Sequence, residues 1–133
     1  MTFGLGLSWW LASASLLSSP AEPAALERGR YLVHQVAMCV QCHSPRDERG
    51  QLVELGLLQG GTIPTEAPFP ETPWAFQAPK LAGLPGWEPD EVVHLLVTGS
   101  RPNGRSPRAP MPPFRMKEED ARAIVAYLES YGR

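Results

Sequence analysis

Cysteine is scarce in this chain. Only Cys39 and Cys42 occur among 133 residues, and the histidines number three, His34, His43 and His94. A structural zinc site ordinarily takes four ligands of these types. With no third cysteine it would need two of the histidines, and no two histidines lie within six residues of each other. An excess of one charge is lacking as well. The formal net charge is −2, which makes no case for a nucleic-acid partner. There is no internal repeat and no glycine-rich nucleotide-binding loop. No charged residue appears before Glu22, so the apolar run from Phe3 to Leu17 has no basic residue ahead of it. That run is short for a membrane span and suits the core of an export signal, missing only the usual basic start. Ala12-Ser13-Ala14 and Ser19-Pro20-Ala21 are small-residue cleavage candidates. Residues 1–21 are expected to be a signal peptide or an uncleaved membrane anchor, and residues 22–133 a single exported, periplasmic domain.

What the chain does have is Cys39-Val40-Gln41-Cys42-His43, a C-x-x-C-H pattern. This is the spacing by which c-type haem is attached to protein. Two thiols add across the two vinyl groups to give thioethers, and the residue after the second cysteine can offer the iron an imidazole nitrogen. A redox dithiol would be expected beside a βαβ pattern, which is not found here. A bare Cys39–Cys42 disulfide would close a very small loop and stabilise little. No second C-x-x-C-H occurs, so one haem is expected. With 43% hydrophobic residues the core is modest, and a covalently held macrocycle would enlarge it.

Fifteen prolines predict long loops between short helices. Pro23 is placed to open a first helix, in which Leu26, Gly29, Val33 and Val36 make one face, ending near Ala37. Gly29 inside it costs about 1 kcal/mol against Ala, which a closely crossing second helix would justify. Residues 51–61 read as a brief hairpin or an irregular loop. Thr62 to Pro85 reads as an extended loop wrapping a haem edge, with Trp74, Phe76 and Leu81 turned inward. Pro89 opens a second helix, with Trp87 and Val92 spaced as a hydrophobic staple, Val92, Leu95 and Leu96 buried, and Thr98-Gly99 at its end. A last helix runs from about Glu118 to Tyr131, with Ala121, Ile124, Val125 and Leu128 on one face and three acids in its first turn.

A six-coordinate iron needs a second axial ligand. Met1 lies in the export segment, Met38 adjoins Cys39, and Met116 is placed to pack at the head of the last helix. His34 and His94 fall on predicted helices. Met111 stands among Pro110, Pro112 and Pro113, which stiffen its loop and lower the entropy lost in holding the sulfur on the iron. Met111 is therefore the expected partner of His43.

Together these features resemble the small class I cytochromes c of bacteria, and most of all the single-haem domains found in or beside dehydrogenase complexes. The likeness is carried by Gly29 and Tyr31, Cys39 to Pro45, Gly60-Gly61, Gly86-Trp87, Gly99, Arg101-Pro102-Asn103-Gly104, Pro110-Met111-Pro112 and Asp120 to Leu128. It covers about residues 25–131. The resemblance implies an all-α cytochrome c fold of three to four short helices and long Pro-rich loops around one covalent haem. It also implies that the first and last helices cross near Gly29 and Tyr127, that His43 and Met111 bind the iron, and that Trp87 lies near the propionates. By the same likeness, Pro45 is expected to supply the carbonyl that orients His43. Ala78-Pro79-Lys80-Leu81 stands where relatives carry Pro-Asn-hydrophobic-Thr. The expected function is electron transfer between redox proteins (a dehydrogenase, another cytochrome or an oxidase), with membrane association through the N-terminal segment as a further possibility. The alternative is a haem enzyme or gas sensor with a labile sixth ligand. From Arg101 to Lys117 there are five basic residues and no acid, a stretch suited to steering an acidic partner or to pairing with propionates.

Overall fold

Pro23 begins the first helix because its missing N–H is one that no helix bonds at that position. The structure, a computed structural model, describes Met1 and residues 22–131; the expected signal or anchor segment otherwise lies outside the described residues. Among the described residues there are three α-helices, α1 (Pro23–Tyr31), α2 (Pro89–Thr98) and α3 (Glu118–Tyr131). Their starts agree with the sequence expectations. No helix among the described residues is long and apolar enough to cross a membrane.

α1 does not continue as a regular helix to Ala37. Leu32–Val36 form a π-helical turn, closed by the Ala37 N–H donating to the Leu32 carbonyl at 2.8 Å. The wider turn rotates the chain relative to a 3.6-residue period. Val33 is buried as expected and Leu32 is buried beside it, but Val36, expected on the inner face, is 54% exposed.

α1 and α3 cross at Gly29. A Cβ there would collide with the Ala123 carbonyl and come within 2.6 Å of Tyr127 Cβ. Glycine is thus required by close backbone approach, as the sequence suggested. Arg28 Nε donates to Asp120 Oδ1 at 2.9 Å across the crossing, and His34 Nε2 lies 2.8 Å from the Tyr127 hydroxyl. α2 ends at Gly99, whose φ of 75° is the left-handed conformation that closes helices, and its N–H returns to the Leu95 carbonyl. α2 and α3 pack Val92, Val93, Leu96, Ile124, Val125 and Leu128 into one core with Leu32, Val33 and Leu58.

The expectation of purely α structure needs one correction. Gly61–Thr62 (β1) and Gln77–Ala78 (β2) pair antiparallel, Gly61 opposite Ala78 and Thr62 opposite Gln77. Two residues per strand leave no periodicity to read, so the ribbon was invisible in a segment dominated by proline. The Pro-rich loop expected to run unbroken from Thr62 to Pro85 therefore contains a strand. Of its expected inward anchors, Leu81 packs against the core, but Phe76 is 79% exposed.

Candidate functional site

Met38 leaves the π turn in a left-handed conformation (φ 51°) and starts a tight turn over Cys39–Gln41. The Cys42 and His43 N–H groups both donate to the Cys39 carbonyl, at 3.3 and 2.9 Å. This winding brings Cys39, Cys42 and His43 to one wall of a single cleft. Several contacts fasten the turn from behind. Val40 is buried, Ser44 Oγ accepts the Leu58 N–H at 2.9 Å, and Arg46 Nη2 donates to both the carbonyl and Oε1 of Gln41 at 2.9 Å.

Both thiols are free, so the disulfide reading is not what the fold adopts. Burial pushes the Cys39 thiol up to about 11. A redox dithiol works through a thiolate held below its ordinary range, and Cys39 sits in the opposite environment. No group of three or more metal-ligating His, Cys, Asp or Glu side chains occurs among the described residues.

His43 is 8% exposed, and its Nδ1 lies 2.8 Å from the Pro79 carbonyl. A carbonyl can only accept, so Nδ1 carries the proton and Nε2 keeps its lone pair. Burial lowers the His43 pKa from the ordinary imidazole value, with the Pro79 carbonyl pulling the other way. Pro79, not Pro45, is thus the residue that orients the ring. The Pro45 carbonyl accepts the Val53 N–H at 3.0 Å, inside the small hairpin next to the motif. Nothing local in the sequence marks Pro79, because it is brought to His43 by the pairing of β2 with β1.

The cleft has a volume of about 310 Å³. Its walls are mostly hydrocarbon: Ile63, Leu81 and Leu84 from the first Pro-rich loop, Leu95 and Leu96 from α2, Ile124 and Leu128 from α3. Met111 lines it from the second Pro-rich loop, beside Pro110 and Phe114. Of the other ligands considered, Met38 also borders the cleft, but Met116 is partly buried against the core, His34 is engaged with Tyr127, and His94 is exposed. Trp87 lines the cleft half-buried, with the Arg101 guanidinium 4.2 Å above its ring. Arg101 and Arg108 both border the opening. The pairing of Arg101 with Trp87 had no signal in the sequence, since fourteen positions separate the two.

These residues fit a c-type haem. Two free thiols share a short turn with an imidazole whose Nε2 is available, a thioether comes from a separate loop, and the walls between them are apolar. Bound there, the haem would supply one-electron redox chemistry at its iron.

Comparison with known proteins places the chain among c-type cytochromes. Residues 24–128 match the family model described as cytochrome c oxidase, cbb3-type, subunit III. A diheme cytochrome c-type protein of Cereibacter sphaeroides is 31% identical over 125 residues, 90% of this chain and 38% of its own length. A nicotinate dehydrogenase subunit of Pseudomonas putida is 34% identical over 84% of this chain and 9% of its own length. The fructose dehydrogenase cytochrome subunit of Gluconobacter japonicus is 31% identical over 77% of this chain and 21% of its own length. The chain thus spans well under half of each of these relatives.

Proposed function

The chain belongs to the c-type cytochrome family of the cbb3-type oxidase subunit III model, an electron-transfer family, and we propose that it carries single electrons on one haem with His43 and Met111 as axial ligands. Cys39 and Cys42 would hold the haem as thioethers, His43 would bind through Nε2, and Met111 through its sulfur. The observation that carries this reading is the meeting of Cys39, Cys42, His43 and Met111 in one apolar cleft, from two parts of the chain 68 positions apart (111 − 43). Met38 is the weaker candidate. It sits one residue from Cys39 in the same turn as His43, and its carbonyl is tied to the Gln41 N–H at 3.0 Å.

Each residue has a distinct task in this reading. The Pro79 carbonyl fixes the His43 tautomer and ring plane. The hydrocarbon walls exclude water, and the Met111 thioether together with the His43 imidazole would favour the reduced iron. Trp87 and Arg101 stand at the rim, where Arg101 can meet an anionic substituent of the macrocycle. With both His43 and Met111 bound, no coordination position would stay open, and the chain would act as a carrier and not as a catalyst. Its place is outside the cytoplasm, with residues 1–21 as the export signal or anchor. Redox proteins are its partners, and the dehydrogenase subunits among its relatives make a dehydrogenase the favoured donor.

The deciding measurement is the absorption spectrum of the ferric holoprotein with carbon monoxide binding to the reduced form. The expected result is the long-wavelength band of iron-bound methionine sulfur, lost in Met111→Ala, with no carbon monoxide uptake by the wild type. Avid carbon monoxide binding by the wild type would favour the enzyme or sensor instead.

A further inference from the structure

The loop that carries Met111 has little means of holding itself in place. Between Pro107 and Pro113 four residues are proline, so only Arg108, Ala109 and Met111 have an N–H to donate. The loop is tied at its far end, where the Met116 N–H reaches the Leu96 carbonyl at 3.0 Å. Near Met111 itself, the backbone hydrogen bond among the described residues comes from outside. The Ala75 N–H donates to the Ala109 carbonyl at 2.7 Å, within a parallel bridge between Trp74 and Ala109.

The donor side of that bond is itself anchored. The Trp74 indole N–H donates to the Thr65 carbonyl at 2.8 Å, and the Ile63 N–H to the Phe76 carbonyl at 2.9 Å. The β1–β2 ribbon is fastened to the motif turn at both strands. The Gly60 N–H donates to the His43 carbonyl at 2.8 Å, and His43 Nδ1 donates to the Pro79 carbonyl at 2.8 Å. A Cβ on Gly61 would collide with the Ser44 carbonyl, so ribbon and turn touch backbone to backbone.

We propose that the segment from Gly60 to Pro79 is a brace between the two axial ligands, and that Ala75 and Trp74 are positioning residues that hold Met111 in the cleft. One end of the brace is the His43 backbone and ring; the other is the Ala109 carbonyl, two residues before Met111. Without it, the proline-rich loop would keep its stiffness but lose its location, because stiffness alone does not say where a loop lies. The inference rests on the reading of Met111 as the second axial ligand.

The test compares wild-type holoprotein with Ala75→Pro, which deletes the bonding N–H, Ala75→Ser, which keeps it, and Trp74→Phe, which deletes the indole donor and keeps an aromatic ring. Three quantities are read: the methionine–iron band, carbon monoxide affinity of the reduced form, and hydrogen exchange at the Ala109 and Met111 amides. Ala75→Pro should lose much of the band, bind carbon monoxide about tenfold more tightly and exchange both amides about tenfold faster, the scale of one lost hydrogen bond. Exchange at the Gly60 amide should not change, and Ala75→Ser should match wild type. A folded, haem-loaded Ala75→Pro with all three readings unchanged overturns the brace. Should that variant not assemble, Trp74→Phe decides: faster Met111 exchange supports the brace, and wild-type exchange overturns it. A wild type lacking the methionine band instead removes the ligand reading, and amide exchange alone then decides the brace.

Discussion

His34 shows how a single side chain takes its role from its surroundings. It lies in the π turn, its Nε2 is 2.8 Å from the Tyr127 hydroxyl, and the rings meet edge to face. Burial lowers its pKa from 6.5, Arg30 adds to the effect, and Glu54 opposes it. The folded state therefore prefers neutral His34. In the unfolded chain the group protonates near its ordinary value, so the stability tied to it is complete above about pH 6.5. That stability is lost as pH falls toward the lower folded value, at no more than about 1.4 kcal/mol per pH unit for one proton. Denaturation of the holoprotein at pH 7 and pH 5 should show the decline, and His34→Gln, which keeps a polar partner for Tyr127 but does not titrate, should reduce it. An identical decline in the variant would assign the effect to other groups. From the sequence, His34 was a helical histidine with no assigned partner; the hydroxyl it meets is 93 positions away.

Among the elements, the crossing of α1 and α3 was legible and the path between α1 and the motif was not. Gly29 in a helix asked for a close neighbour, and Ala121, Ile124, Val125 and Leu128 marked the face of the helix that supplies it. The prediction at this scale is a substitution with opposing effects. Gly29→Ala raises helix propensity by about 1 kcal/mol. It also places a methyl against the Ala123 carbonyl, backbone that cannot rotate away. Overpacking of this kind costs about 1–3 kcal/mol, so a net loss of up to about 2 kcal/mol in urea denaturation of the holoprotein is expected. A stabilised Gly29→Ala would mean the helices separate freely. The π turn after Tyr31 was hidden because each residue in it is an ordinary helix former. It leads through Ala37 and Met38 into the turn that carries Cys39.

Across the whole molecule, charge is divided. Arg101, Arg105 and Arg108 are exposed on the loop that reaches the cleft opening, while residues 46–100 hold eight acids against three bases. This asymmetry suits an acidic redox partner approaching at the opening. With the holoprotein at low ionic strength, the doubly reversed variant Arg105→Glu with Arg108→Glu should shift the ratio of rates for anionic ferricyanide over a cationic cobalt complex downward by about tenfold. Added salt should shrink the difference, as screening requires. An unchanged ratio would place the site of electron exchange elsewhere on the surface.

Short-range chemistry was readable directly from the chain. The C-x-x-C-H spacing, Pro89 and Gly99 at the two ends of α2, the acids opening α3 and the apolar period along it each depend on residues a few positions apart. The same is true of the stiffness of the loop around Met111. Tertiary structure alone decided which carbonyl orients His43, which hydroxyl meets His34, which guanidinium covers Trp87, and which N–H reaches the Met111 loop. The Arg101–Trp87 contact joins the two ends of α2, and the others join segments brought together by the antiparallel ribbon or the helix crossing. Two-residue strands and proline-rich loops carry no periodic signal, because their hydrogen bonds are set by partners distant in the chain and not by neighbours along it.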